Sequence, residues 1–275
     1  MNNGDFNLIE PTDPCPKISV CITTYQSIDT LKKAIDCIAE NYGNCEFCII
    51  DNNSTDGTDI ILDKMNYVDI KLKRAKVTRG MGRNLAVSLS SNEFILFIDA
   101  DTIFKNIKKY LKKFMLFKYE KVLKIEGSNK GAWAAFCKKE LFVRLGGFPN
   151  LNSSEDVYFF NLSKKLGIYE VLNATEGELY SIPLRYMSSG NEKRYSSNNL
   201  DLFKRYLVLY RDNLSCNRNL INFLSPKIRR KESVLKSLIY YFLALPLSFF
   251  TGVESIDQRY ERITKENQKE KKSNP

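Results

Sequence analysis

Histidine is absent from all 275 residues of this chain. Imidazole is therefore excluded as general acid, general base or metal ligand, and proton transfer and cation binding fall to other side chains. Tryptophan occurs once, at Trp133. Long apolar runs are scarce: Ser237–Val253 is uncharged, but its 17 residues are interrupted by Pro246, which is slightly short for a membrane span. The 7 cysteines are odd in number and several lie in apolar runs (Cys21, Cys48, Cys137), as expected of reduced buried thiols in an intracellular protein rather than a disulfide framework. Cys45 and Cys48 have CxxC spacing, yet no second pair follows at zinc-site distance and Cys48 opens a strand-like run. The polar, acidic start MNNGDFNLIE leads us to expect no secretory leader.

Negative charge is the scarcer sign: 32 Asp and Glu against 42 Lys and Arg leave a net charge of +10. Such a surface favours an anionic partner, a nucleotide phosphate or an anionic lipid surface. No basic helix with interleaved aromatics is present, so nucleic acid is not expected. With 43% hydrophobic and 27% charged residues the composition is ordinary for a globular protein, and the length suits one large α/β domain with a helical appendage.

The pattern turns on Phe94–Thr102, FILFIDADT. Five consecutive apolar residues predict a strand buried on both faces of a parallel sheet. It stops at Asp99 and Asp101, and ligands of open α/β sheets bind beyond the carboxyl ends of the strands. Two acidic oxygens one residue apart suit Mg²⁺ or Mn²⁺ shared with phosphate oxygens. The same residues also serve as turn and cap formers, and DADT also looks like the nucleophile loop of haloacid-dehalogenase-type phosphatases.

Before this strand, Ile18–Thr23 reads as the first strand, with Thr24 and Tyr25 at its end, and Ser27 as cap of a helix presenting Ile28, Leu31, Ile35 and Ile38. Phe47–Ile50 predicts a second strand ending at Asp51 and a turn-rich loop, with a helix from Asp59. Ile70–Leu72 predicts a third. The stretch Thr78–Asn84 reads as a loop whose glycines admit a ligand and whose Arg79 and Arg83 contact a diphosphate, or as a plain basic loop, before a helix at Leu85–Leu89. Further on come a lysine-rich helix (Ile107–Phe117), a small-residue strand around Trp133, a short helix stopped at Gly146-Gly147, and a helix running to Leu166, opened by the Ser and Asp residues of Asn152–Asp156, whose acidic start also complements the helix dipole.

Taken in order, ISVCITTY, IIDNNSTDGT, GRN, FILFIDADT, GGF and EDVYF closely resemble glycosyltransferase family 2, the inverting nucleotide-sugar transferases with the GT-A fold. The similarity runs from Lys17 to Leu166 and continues in YLVLYRDN, Tyr206–Asn213, which looks like the family's Tyr-x-x-Arg-Asn element. The resemblance implies that Thr23, Thr24, Tyr25 and Asp51 line the nucleotide-base pocket, and that Arg79, Gly80 and Arg83 close over nucleotide and diphosphate. It implies that Asp99 faces ribose or metal, that Asp101 holds a Mn²⁺ or Mg²⁺ ion on the diphosphate, that Asp156 is the catalytic base and that Glu155 orients the acceptor. Trp133 would fall on the acceptor side. Where many members carry a histidine after the Glu-Asp helix, this chain offers Arg185 and Tyr186, and Arg185 would replace part of the metal's charge.

The implied organisation is a lead over 1–16, a GT-A domain over 17–197, a helical extension over 198–260 and a disordered charged tail over 261–275. Basic residues from Lys227 to Lys231 precede the apolar stretch. Buried packing, a peripheral or re-entrant contact of 227–253 with anionic headgroups, and a span all remain open readings. The expected setting is the cytoplasm or the cytoplasmic membrane face, with a nucleotide-sugar donor and a glycan, lipid-linked or protein acceptor. Two other classes compete: a phosphatase built on Asp99 and Asp101, and a non-catalytic nucleotide-sugar-binding protein.

Overall fold

The structure, a computed structural model, describes residues 15–128, 131–182, 207–208 and 251–273. Its centre is a sheet of seven strands: β1 (Ile18–Thr24), β2 (Cys45–Asp51), β3 (Ile70–Arg74), β4 (Phe94–Ile98), β6 (Val122–Glu126), β7 (Trp133–Lys138) and β8 (Tyr169–Asn173), arranged β3-β2-β1-β4-β7-β6-β8. A second, two-stranded sheet pairs β5 (Thr102–Phe104) with β9 (Leu179–Ser181). All neighbours in the large sheet are parallel except β7, which runs against both β4 and β6. The sheet is thus mostly parallel, as the apolar runs of β1, β2 and β4 predict; every residue of β2 and β4 is buried.

Alternation along the strands sorts side chains into two cores. Val20, Ile22, Phe47, Ile49, Leu96 and Ile98 face helices α1 (Leu31–Asn41), α2 (Thr58–Asp63) and α4 (Ile107–Leu116). Cys21, Cys48, Ile50, Ile95 and Phe97 face α3 (Arg79–Leu89), α5 (Lys139–Arg144), α6 (Glu155–Lys165) and a C-terminal helix, α7 (Ile256–Ser273). Ile107, Tyr110, Leu111 and Phe114 give α4 its buried stripe at i, i+3, i+4 and i+7, leaving its lysines outside. Cys45 and Cys48 belong to opposite cores, so the CxxC spacing cannot close on one ion. Burial raises the Cys45 thiol to about 12.

Three boundaries differ from expectation for physical reasons. Helix α1 begins at Leu31, and Ser27 serves instead through its carbonyl, which accepts from the N–H groups of Thr30 and Leu31. Helix α3 begins at Arg79, so the glycines of Thr78–Asn84 are helical rather than a ligand-admitting loop. They are needed for close approach: a Cβ on Gly80 would stand 1.9 Å from the Pro149 carbonyl oxygen, and one on Gly82 would stand 2.6 Å from the Thr23 methyl. The strand at Trp133 is the antiparallel β7. Finally, residues 256–273 are helical where the composition suggests a disordered tail, because Ile256, Arg259 and Ile263 on one face are buried in the domain. Tyr206–Asn213, except the buried Leu207 and Val208, lies outside the described residues, as do 227–250.

The crossovers from β1 to β2 and from β2 to β3 carry their helices on one face of the sheet. That from β3 to β4 carries α3 on the other. The order reverses between β1 and β4, which creates a crevice at their carboxyl ends.

Candidate functional site

At that crevice β1 delivers Thr23 and Thr24, β2 delivers Asn52 just past its end, and β4 delivers Asp99. Helix α3 enters from the side, its first turn capped by Thr78, whose hydroxyl accepts from the Met81 N–H at 3.2 Å. Thr23, Thr24, Ile50, Asn52, Val77, Thr78, Arg79 and Gly82 line one narrow cleft. Asn52 was not singled out from sequence; it holds the cleft shape by accepting the Val77 N–H at 2.9 Å. Thr24 is 1% exposed and its hydroxyl has no hydrogen-bond partner.

Asp51, expected to bond a base, is fully buried behind this cleft. Its carboxylate accepts from the N–H and hydroxyl of Ser54 and pairs with Arg74 Nε at 3.2 Å. It shapes the loop Asn52–Asp56 from below and does not line the cleft.

Arg83 departs furthest from the loop reading. Four residues into α3, it is 1% exposed, with its guanidinium 4.9 Å from the Trp133 ring and 5.3 Å from the Phe148 ring. One terminal nitrogen donates to Asp99 Oδ1 at 2.7 Å and the other to Glu155 Oε1. Burial works against its charge, but the Glu155 and Asp99 carboxylates hold its pKa above the ordinary arginine value. Arg83 therefore ties the end of β4 to the start of α6 and does not stand open to a diphosphate. Glu155, also expected to meet a substrate, is 0% exposed; its Oε1 pairs with Arg83 and lies 3.8 Å from Arg79 Nε, while its Oε2 is buried without a hydrogen-bond partner. Trp133 is 6% exposed: Arg83 covers its ring and Phe160 meets it edge-on at 5.3 Å, so no face awaits a sugar.

Asp156 follows Glu155 and is only partly buried. The turn before it places Ser154 at φ +65°, a left-handed conformation costly for a non-glycine residue, which swings α6 so that Glu155 points inward. Asn84 fixes the approach to this turn, accepting the Phe148 N–H and donating to its carbonyl, both at 2.9 Å. Gly80 N–H donates to the Leu151 carbonyl at 3.0 Å, and Arg79 N–H to Asn152 Oδ1 at 3.2 Å. The motifs GRN, GGF and EDVYF are thus one connected body.

Asp101 lies in the turn between β4 and β5, where its carbonyl accepts the Ile182 N–H at 2.7 Å. The stretch following β9 therefore begins beside the Asp-x-Asp pair; Arg185 within it lies outside the described residues. Among the described residues no group of three or more Cys, Asp or Glu gathers as a metal cage. Asp99 and Asp101 supply two hard oxygen donors, a set that fits a Mg²⁺- or Mn²⁺-sized ion completed by phosphate and water. Arg83 engages Oδ1 of Asp99, so that carboxylate would offer a cation its other oxygen.

Residues 19–117 match the family model described as Glycosyl transferase family 2. Among curated proteins the chain is similar to SPbeta prophage-derived glycosyltransferase SunS of Bacillus subtilis, 30% identical over 95 residues, 34% of this chain and 22% of SunS. It is also similar to UDP-Glc:alpha-D-GlcNAc-diphosphoundecaprenol beta-1,3-glucosyltransferase WfaP of Escherichia coli, 24% identical over 235 residues, 80% of this chain and 86% of WfaP. The chain thus spans about a fifth of SunS and most of WfaP. Among solved structures, S. aureus TarS 1–349 in complex with UDP-GlcNAc superposes with a TM-score of 0.62 at 19% identity, covering 92% of each chain, which shows a shared fold.

Proposed function

We propose that this chain, which carries a glycosyl transferase family 2 domain, moves a sugar from a nucleoside-diphosphate sugar, UDP foremost, to an acceptor hydroxyl with inversion at the anomeric carbon. The observation that supports this best is the Asp99–Arg83–Glu155 link, which joins the end of the central strand to the helix turn bearing Asp156 at the crevice between β1 and β4.

On this reading the cleft of Thr23, Thr24, Asn52 and Thr78 receives the nucleoside, with Arg79 beside the diphosphate and Tyr25, next along the chain after Thr24, contributing to the base pocket. Asp99 and Asp101 would hold the divalent cation, which supplies positive charge to the departing diphosphate. Asp156 takes the proton of the acceptor hydroxyl as its oxygen bonds to the anomeric carbon, and the bond from that carbon to the diphosphate oxygen breaks with its electron pair leaving on the nucleotide. One displacement inverts the centre. Arg83 keeps its charge away from solvent and holds Asp99 and α6 in register, so preorganisation is its contribution.

WfaP, by its name, uses UDP-Glc and a diphosphoundecaprenol-linked acceptor, which supports a UDP-sugar donor and a lipid-linked acceptor here. A peripheral contact through 227–253 on the cytoplasmic membrane face would suit such an acceptor. No helix among the described residues is long and apolar enough to cross a membrane.

Thermal-shift measurement against UDP-, GDP- and dTDP-sugars with Mn²⁺ tests the donor: a ligand at 100 times its Kd adds about 2.7 kcal/mol to the native state. Asp156→Asn is expected to abolish transfer and leave the UDP shift intact. No stabilisation by any of the three, or undiminished transfer by the variant, rejects the proposal.

A further inference from the structure

Beyond the crevice, one polar assembly joins the C-terminal helix to the site-bearing loop. Helix α5 ends in a two-glycine turn, with Gly146 at φ +76° and Gly147 at φ +64°. Their N–H groups return to Val143 O at 2.8 Å and Phe142 O at 3.1 Å, a Schellman arrangement. The carbonyls of Leu145, Gly146 and Gly147 all accept from Nη1 of Arg259 on α7, at 3.5, 3.4 and 2.9 Å.

Arg259 is 8% exposed and is itself fixed. Its Nε donates to Glu254 at 3.0 Å, and its guanidinium lies 4.9 Å from the Tyr158 ring on α6. The Tyr158 hydroxyl donates to the Glu254 carbonyl at 2.8 Å. Partial burial opposes ionisation of Glu254, but hydrogen bonds from Arg262 and Arg259 hold its carboxyl below the usual range. The turn thus held runs directly into Phe148, clamped by Asn84, and on to Ser154, Glu155 and Asp156.

We infer that Arg259 is a positioning residue: by locking the 145–147 turn and α6 into one body, it sets where Asp156 stands relative to the donor edge. The inference rests on the proposed role of Asp156 as base. Arg259 acts through three backbone carbonyls and Tyr158 and touches none of the residues lining the cleft, so its loss should misplace the base more than it weakens nucleotide binding.

The test uses the full chain with Arg259→Gln and Arg259→Lys. UDP release from UDP-glucose with Mn²⁺ gives kcat and KM, UDP with Mn²⁺ gives a thermal shift, and amide exchange reports on 145–157. Arg259→Gln is expected to lower kcat about 10- to 100-fold with KM and the UDP shift within about two-fold of wild type. Exchange over 145–157 should quicken about ten-fold, and Arg259→Lys should recover part of both losses. Unchanged kcat and exchange, parallel loss of kcat and UDP binding, or a lysine variant no better than glutamine overturns the inference. Should Arg259→Gln fail to fold, Tyr158→Phe, which removes the hydroxyl bonded to the Glu254 carbonyl, must show the same changes in smaller measure. If wild type releases no UDP from UDP-glucose, that donor fails on its own account while exchange decides the brace; if Asp156→Asn turns over normally, the base assignment falls and the inference with it.

Discussion

Replacing Arg83 by Met removes one charge from a fully enclosed pair and strands the other. Glu155, 0% exposed, would retain Arg79 Nε at 3.8 Å as its nearest remaining cation. Breaking such a pair costs about 3–5 kcal/mol, and loss of the guanidinium over Trp133 adds about 1 kcal/mol. Glu155→Met should cost somewhat less, because Arg83 keeps Asp99, whose side chain is 29% exposed. Against a total stability of about 5–15 kcal/mol either single change is severe. The double variant Arg83→Met/Glu155→Met fills the same space with apolar side chains and should return to within about 2 kcal/mol of wild type. Urea unfolding of the four proteins closes the cycle, and these values imply a coupling of roughly 5 kcal/mol or more. Turnover should not recover with stability: the double variant is expected to remain at least about 100-fold down, since nothing then joins Asp99 to α6. Single variants within about 1 kcal/mol of wild type, additive losses, or a double variant with full turnover would each refute the argument.

Burial opposes ionisation of Glu46, but Lys71, Ser19 and Ser91 hold its carboxyl at about 2. A folded pKa below the unfolded one gives stability that is present above the unfolded value of 4.5 and is lost as pH falls toward 2. Glu46→Gln should therefore remove about 2–3 kcal/mol at pH 7 and flatten the acid-unfolding profile between those limits, read by circular dichroism against pH. Gly80→Ala drives a methyl against the Pro149 backbone and is expected to cost about 2–4 kcal/mol by urea denaturation and to lower turnover; a neutral outcome would show that the 149–151 loop yields freely. Removing divalent cations with excess chelator should abolish turnover and restore it on adding Mn²⁺; full activity in chelator would separate Asp99 and Asp101 from metal binding.

The strands were legible because buried parallel strands are continuous apolar runs, and β4 falls at Phe94–Ile98 as its hydrophobicity dictates. The carboxylates at its end were legible for the same reason. Arg83 was not: an arginine between glycines reads as an exposed basic loop, and its burial depends on Trp133, Phe148 and Glu155, all far away in sequence. The clamp of Asn84 on Phe148 was equally hidden, although GRN and GGF each stand out in the sequence. For α7 a signal existed, since Ile256, Arg259 and Ile263 stand at i, i+3 and i+7, but the surrounding charge masked it. Asn52 carried no signal at all beyond its place in a turn-rich loop.

The reversal of β7 has a consequence for how such a chain can diversify. Because β7 runs against β4 and β6, the connection between β6 and β7 is a hairpin, closed by the bond from Gly127 N–H to Ala132 O, and it opens on the same rim as Asp99. A hairpin tip can be lengthened or exchanged without rethreading any crossover, and each doubling of its length adds only about 0.6 kcal/mol of closure entropy. Grafting foreign tips between Gly127 and Ala132 is thus a route to retargeting the rim while the nucleoside half of the sheet stays untouched.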